Sequence, residues 1–340
     1  MNALTPIGFA AALLATAAVL TLTRPIRGKW MSWPAVALGV ASCVVTVGGG
    51  ALAGLPLAFP LGLGFWAIPT SVALASASAA LGFSGRFAWA PMTGWALLVF
   101  PSTALVTMAV ASGCGEASCR IDDFGGALPL AFTAVAFLLV SRSAGIRMPS
   151  DPWTAHPTAN RPIVQILAVL ALWVAFILWL AHLEGVVDAY FPRILAGAVI
   201  GPLCAAIGWT VVDLLRGHRR PVIRSMMFGL LVGMPATLAG VATVGSPWGE
   251  IAAVAAGAVG ALVLSIRPHK WLAVRRATAA VGAATLMGFL ASPIAGDMTG
   301  VLFTGNASGL APPLFAVLVV IAWSVLVAWV SWATARFAAR

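Results

Sequence analysis

Charge is what this chain has least of. Only 8% of its 340 residues are Asp, Glu, Lys or Arg, against roughly a quarter in a soluble domain, and that excludes a water-soluble fold. Histidine is scarcer still, with His156, His182, His218 and His269 the full set. No polar stretch is long enough for a separate soluble domain, so residues 1–340 read as one integral unit. There is no phosphate-binding loop, no cluster of metal ligands and no serine or cysteine triad spacing. No metal, cofactor or nucleotide coupling is therefore expected.

What the chain has instead is apolar surface: 61% hydrophobic residues and a mean hydropathy of +1.02. A net charge of +10 invites a nucleic-acid reading, which fails because the basic residues sit in short clusters between apolar runs, as topology signals do. An α-helix needs about 20 apolar residues to cross the hydrocarbon core. On that measure the sequence predicts about eleven transmembrane helices, at 5–23, 33–55, 63–82, 88–112, 124–141, 162–183, 194–214, 225–244, 249–266, 277–296 and 311–334. The expected class is an all-α polytopic membrane protein whose main partner is the lipid bilayer.

Charge placement tests that count. With the amino terminus outside and the carboxyl terminus in the cytoplasm, every basic residue except Arg120 and Arg193 falls on an inner segment. The acidic residues Glu116, Asp122, Asp123, Glu184, Asp188, Glu250 and Asp297 fall on the outer side. A miscounted helix scrambles this alternation beyond the error. The first span lacks a basic start and is followed by Arg24, Arg27 and Lys29, so it reads as an anchor and not a signal peptide. Arginine far outnumbers lysine beside abundant Ala and Gly, a bias suggesting a bacterial inner membrane. Eleven helices divide as five, five and one long C-terminal helix, and two halves of five would be inverted relative to each other.

Several polar residues have two readings. Asp122 and Asp123 open the fifth span, as a helix cap or as a cation-recruiting mouth. His182, Glu184 and Asp188 form a solvated outer loop or the polar wall of a vestibule, where His182 would handle protons. Asp297 and Arg193 read as interfacial, and Asp213 as an inner-surface pair with Arg216 or a cap. Trp30, Trp33, Trp153, Trp248 and Trp271 sit where an aromatic belt belongs. Trp66, Trp95, Trp173, Trp179 and Trp209 lie deeper, by packing or, for Trp66 and Trp179, as cation-attracting walls of a cavity. Cys43 and Cys204 read as small core residues. Cys114 and Cys119 flank a four-residue loop and, if that loop is outside, are compatible with a disulfide.

Asp122-Asp123-Phe124-Gly125-Gly126-Ala127-Leu128-Pro129-Leu130 resembles the start of the fifth helix in the ammonium transporter (Amt/Rh) family. Gly85-Arg86-Phe87 is similar to that family's short basic turn between helices 3 and 4. Trp173 to Trp179, Trp209 to Arg216, Gly233 to Leu262 with Ser246-Pro247-Trp248-Gly249, and Met298-Thr299-Gly300-Val301 resemble later family segments. The resemblance covers most of the chain from about residue 60. It implies an Amt-like fold, a homotrimer, a small polar substrate, and an outer entrance formed by Asp122, Phe65 and Trp179, with Trp66 and His182 beside it.

The departures carry as much weight. On the same matching, the two pore histidines of the family become Leu130 and Gly288. Its outer tryptophan becomes Val110, its second gate phenylalanine Pro69, and its helix-3 glutamate Phe83. No histidine of this chain falls at a span centre, so a histidine-pair proton relay cannot exist in its usual form. The leading expectation is an Amt-like transporter or channel for ammonium/ammonia or another small polar molecule, with a diverged pore that favours neutral species. The alternatives are a membrane-embedded enzyme using the former pore as a reaction cavity, as in small-nitrogen chemistry, and a non-conducting sensor.

Overall fold

In lipid every backbone N–H and C=O must be paired within the chain, so long apolar runs fold as helices. The computed structural model describes residues 5–23, 32–54, 58–80, 86–113, 123, 126–141, 162–217, 222–266, 273–297 and 300–338. The helices are α1 (Thr5–Thr23), α2 (Ser32–Leu52), α3 (Ala58–Ala80), α4 (Arg86–Gly94), α5 (Phe100–Gly113), α6 (Thr133–Val140), α7 (Pro162–Glu184), α8 (Phe191–Leu215), α9 (Val222–Leu238), α10 (Trp248–Ser265), α11 (Ala273–Ala295), α12 (Val301–Thr304) and α13 (Ala311–Ala338). Among the described residues there is no strand, only an isolated bridge between Asp123 and Ala239.

Among the described residues, eight segments are helical, long and apolar enough to cross a membrane. Three shorter apolar helices, Leu63–Ala79, Leu128–Val140 and Val222–Leu238, fall on the expected spans 63–82, 124–141 and 225–244. The chain is thus a multi-pass helical membrane protein.

Local chemistry explains where helices depart from expectation. The span expected at 88–112 is continuous but widens through a π turn at Trp95–Val99 between α4 and α5. A second π turn, Leu128–Phe132, leads into α6. The helix expected to reach residue 244 stops at Leu238, because Ala239 pairs with Asp123 and Gly240 takes φ +89°, a conformation open mainly to glycine.

The packing has a two-fold pattern. α2 lies on α3 and α5 as α8 lies on α9 and α10, α1 touches α3 as α7 touches α9, and α1 and α7 pack directly together. This is the contact pattern expected of two five-helix halves. Close approach in lipid depends on small residues. Gly257 of α10 brings its backbone against the Ala205 carbonyl of α8, and Gly233 of α9 approaches Pro202.

α13 clamps the first half from outside. Trp323 Nε1 donates to Ser102 Oγ at 3.1 Å, Ser331 Oγ to the Pro91 carbonyl at 3.2 Å, and Trp332 Nε1 to the Phe137 carbonyl at 2.9 Å. Trp33 is 80% exposed and Trp248 lies on the surface, whereas Trp95, Trp179, Trp209 and Trp332 are fully buried. Trp30, Trp153 and Trp271 lie outside the described residues.

Candidate functional site

The fifth expected span starts on an aspartate, and its first donors can be accounted for one by one. A helix start leaves its first N–H groups without helical partners. Asp123 Oδ1 accepts from Ala127 N at 2.6 Å and Oδ2 from Leu128 N at 2.9 Å. Gly126 N donates to the Asp123 carbonyl at 3.2 Å and Leu130 N to Gly126 O at 3.0 Å. Pro129 has no N–H to satisfy. Gly126 turns at φ +73°, where an added Cβ would run into Leu63 Cδ2. Of the two readings offered for this pair, the cap belongs to Asp123. Asp122, Cys114 and Cys119 lie outside the described residues, as do His156, His218 and His269.

Two residues beyond Leu63 on α3, the rings expected at the entrance assemble. Phe65 meets Phe9 of α1 edge-on at 5.9 Å and the His182 ring of α7 at 6.5 Å. Trp66 lies against Trp179 with centroids 4.6 Å apart, and Phe176 sits 6.4 Å from Trp179. The indole Nε1 of Trp66 is buried and has no hydrogen-bond partner among the described residues. His182 is only 6% exposed, wedged where a Cβ on Gly8 would strike its ring. It is therefore a packed side chain of the last turn of α7 and no part of a solvated loop. Asp188 does belong to such a loop, where Oδ1 accepts from the backbone N–H groups of Tyr190 and Phe191.

Leu130 is 8% exposed within the π turn, and the Thr133 hydroxyl is spent on the Pro129 carbonyl. Gly288 sits where α11 crosses α9, so a Cβ there would collide with the Ala236 carbonyl. The α11 glycine that faces α6 is Gly282, whose added Cβ would lie 3.1 Å from Val135 Cγ1.

Four polar residues end up with other partners than expected. Asp213 takes Trp209 Nε1 at 3.1 Å and Ser225 Oγ at 2.7 Å, while Arg216 instead donates to the Ser265 hydroxyl. Arg193 and Asp297, expected separately at an interface, form an ion pair at 2.6 Å. Their separation in sequence hides that pairing. Its one sequence signal is that Arg193 defies the positive-inside bias.

No family model matches the chain, and no curated protein matches it in sequence. Solved structures do match its shape. A Candida albicans Mep2 mutant superposes with a TM-score of 0.75 at 13% identity, covering 95% of this chain and 89% of that one. Saccharomyces cerevisiae Mep2 gives 0.68 at 13% identity over 95% and 85% of the two chains. A sensor Amt protein gives 0.64 at 15% identity over 96% and 90%. The chain has the Amt fold. In that frame the ring cluster and the capped helix start are neighbours through Leu63 and Gly126, and the apolar segment from Leu130 to Val135 follows directly on the cap.

Proposed function

We propose that this Amt-fold protein passes ammonia or another small polar molecule, in its neutral form, through a diverged pore entered beside Phe65, Trp66 and Trp179. The observation that carries the reading is the unpartnered Trp66 Nε1–H inside the ring cluster. A buried donor without an acceptor costs on the order of 1–3 kcal/mol. Ammonia has a lone pair to accept that bond, whereas ammonium has only donors. Beyond the rings, Leu130 is buried and apolar and the Thr133 hydroxyl is spent on the Pro129 carbonyl, which serves a dehydrated ion poorly. In this reading Asp122 draws cations to the outer mouth and one proton is shed before the rings.

The same proposal includes eleven crossings, an outer amino terminus, a cytoplasmic carboxyl terminus and a bacterial inner membrane, supported by the alternation of basic and acidic loops. A homotrimer follows from the family resemblance.

The test is an ammonium pulse on proteoliposomes with internal pH as the readout. Wild-type protein should alkalinise the lumen faster than empty liposomes, and Trp66→Phe, which keeps a ring but removes the N–H, should slow it roughly tenfold. Equal rates in wild type and empty liposomes would sink the transport reading.

A second reading, a non-conducting sensor, is favoured by the closed packing of Trp66 on Trp179 and of Gly282 on Val135. It predicts no uptake at any pH together with a ligand-dependent change in tryptophan fluorescence.

A further inference from the structure

Of the basic residues, Arg193 is one of two that charge alternation leaves on the expected outer side. The fold gives it a specific setting. Arg193 stands in the first turn of α8 and Glu250 in the first turn of α10. Both line a cavity of about 120 Å³ between α8, α9, α10 and α11, and none of the entrance rings reaches it. About 10–15 Å³ on this measure holds one water, so the space suits a small organic molecule.

The wiring of the two charges is incomplete in a complementary way. Arg193 Nη1 is taken by Asp297 Oδ2 at 2.6 Å, and Asp297 is held in turn by the Gly245 N–H at 3.1 Å. That leaves Arg193 Nε and Nη2, both buried and without a partner among the described residues. Those two atoms form the side edge of the guanidinium, the fork that grips a carboxylate or phosphate with two parallel bonds. Glu250 Oε2 is likewise buried and unpartnered. The two residues are not ion-paired with each other. A buried charged donor edge and a buried charged acceptor, on two residues that line one cavity, suit a molecule with both an acid and a cation.

We propose that this cavity binds a small zwitterion with a primary ammonium and an acid group, the acid on the Nε/Nη2 edge of Arg193 and the ammonium on Glu250 Oε2. A simple anion is disfavoured, because Asp297 already neutralises Arg193 and Glu250 adds a negative charge. A simple metal cation is disfavoured by the guanidinium. Apart from Thr237 and Ser246 the remaining lining is small or aliphatic, including Gly201, Val241 and Ala253, which admits a short carbon chain. Two sources present this chemistry, a free amino acid such as glycine and the phosphoethanolamine headgroup of a lipid. The lining also includes Gly288, the position matched to the second pore histidine.

The test is thermal unfolding of the purified full-length protein, followed by tryptophan fluorescence, with glycine, phosphoethanolamine, acetate, phosphate and ethylamine added in turn. The two zwitterions should stabilise the protein and the three single-charge probes should not. Glu250→Gln keeps the volume and should weaken zwitterion binding about tenfold or more. Arg193→Lys keeps the positive charge toward Asp297 but loses the fork, and should weaken it similarly. Nanodiscs then separate the sources. Glycine binding that disappears in phosphatidylethanolamine discs but persists in phosphatidylcholine discs assigns the site to the headgroup, and equal binding in both assigns it to the free solute. Zwitterions no better than acetate and ethylamine, or undiminished binding in Glu250→Gln, would overturn the proposal.

Discussion

The indole of Trp66 rests on that of Trp179, centroids 4.6 Å apart and planes tilted by 37°, and this contact joins α3 to α7. Trp179 is fully buried and Trp66 only partly so, which makes Trp179 the backing and Trp66 the moving candidate. Trp179→Ala should cost about 3–5 kcal/mol of stability, as large-to-small core changes of this size do, and should raise ammonia uptake in liposomes by opening the contact. Loss of stability with unchanged uptake would mean that the pair only packs.

Asp123 offers a cleaner separation of structure from function. Its carboxylate carries the Ala127 and Leu128 N–H groups, so Asp123→Ala should lower stability by roughly 1–2 kcal/mol, the range for a lost helix cap. Asp123→Asn keeps an acceptor and should lose less. Thermal unfolding in detergent measures both. If Asp123→Asn lost as much as Asp123→Ala, both carboxylate oxygens would be needed, since an amide offers one acceptor and turns an N–H toward the second donor.

These residues also mark how far the sequence alone reaches. Hydropathy and charge alternation were enough for α1, α7, α8, α10 and α13, whose bounds lie within a few residues of the expected spans, since lipid leaves a long apolar run no other fold. The end of α9 was not legible, because it depends on Ala239 meeting Asp123 more than a hundred residues earlier. Adjacent aspartates could not be told apart by pattern, as only backbone geometry decides which carboxylate faces the free N–H groups. The burial of His182 was missed for a similar reason. Its space is set by Gly8 and Phe65 on other helices. The same holds for Arg193 and Asp297.

Glycine spacing says that helices approach closely, but only the packed fold says which glycine faces what. Gly288 has the Ala236 backbone in front of it, while Gly282 faces a valine side chain. Backbone cannot yield, whereas at Gly282 the added Cβ meets a side-chain methyl at 3.1 Å, which needs to give by only a few tenths of an ångström. Gly288→Ala should therefore lower the unfolding temperature clearly, by the 1–3 kcal/mol typical of overpacking, and Gly282→Ala should be near neutral. The reverse order would place the tight crossing of α11 on α6.

The same geometry limits how a histidine relay could be restored. Leu130→His places a titratable ring in the π turn, where the neighbouring Thr133 hydroxyl is already committed to the Pro129 carbonyl. A lone buried imidazole is held neutral by desolvation, and a relay needs a second ring within hydrogen-bond reach. Gly288 cannot supply it, because its Cβ direction is filled by the Ala236 carbonyl. Leu130→His should therefore fold and carry no proton-coupled current after an ammonium jump on a supported membrane. Leu130→His combined with Gly288→His should lose stability before it gains any current. A current in the single variant would show that one imidazole suffices to pass the proton, and the neutral-species reading of the pore would then have to rest on Trp66 alone.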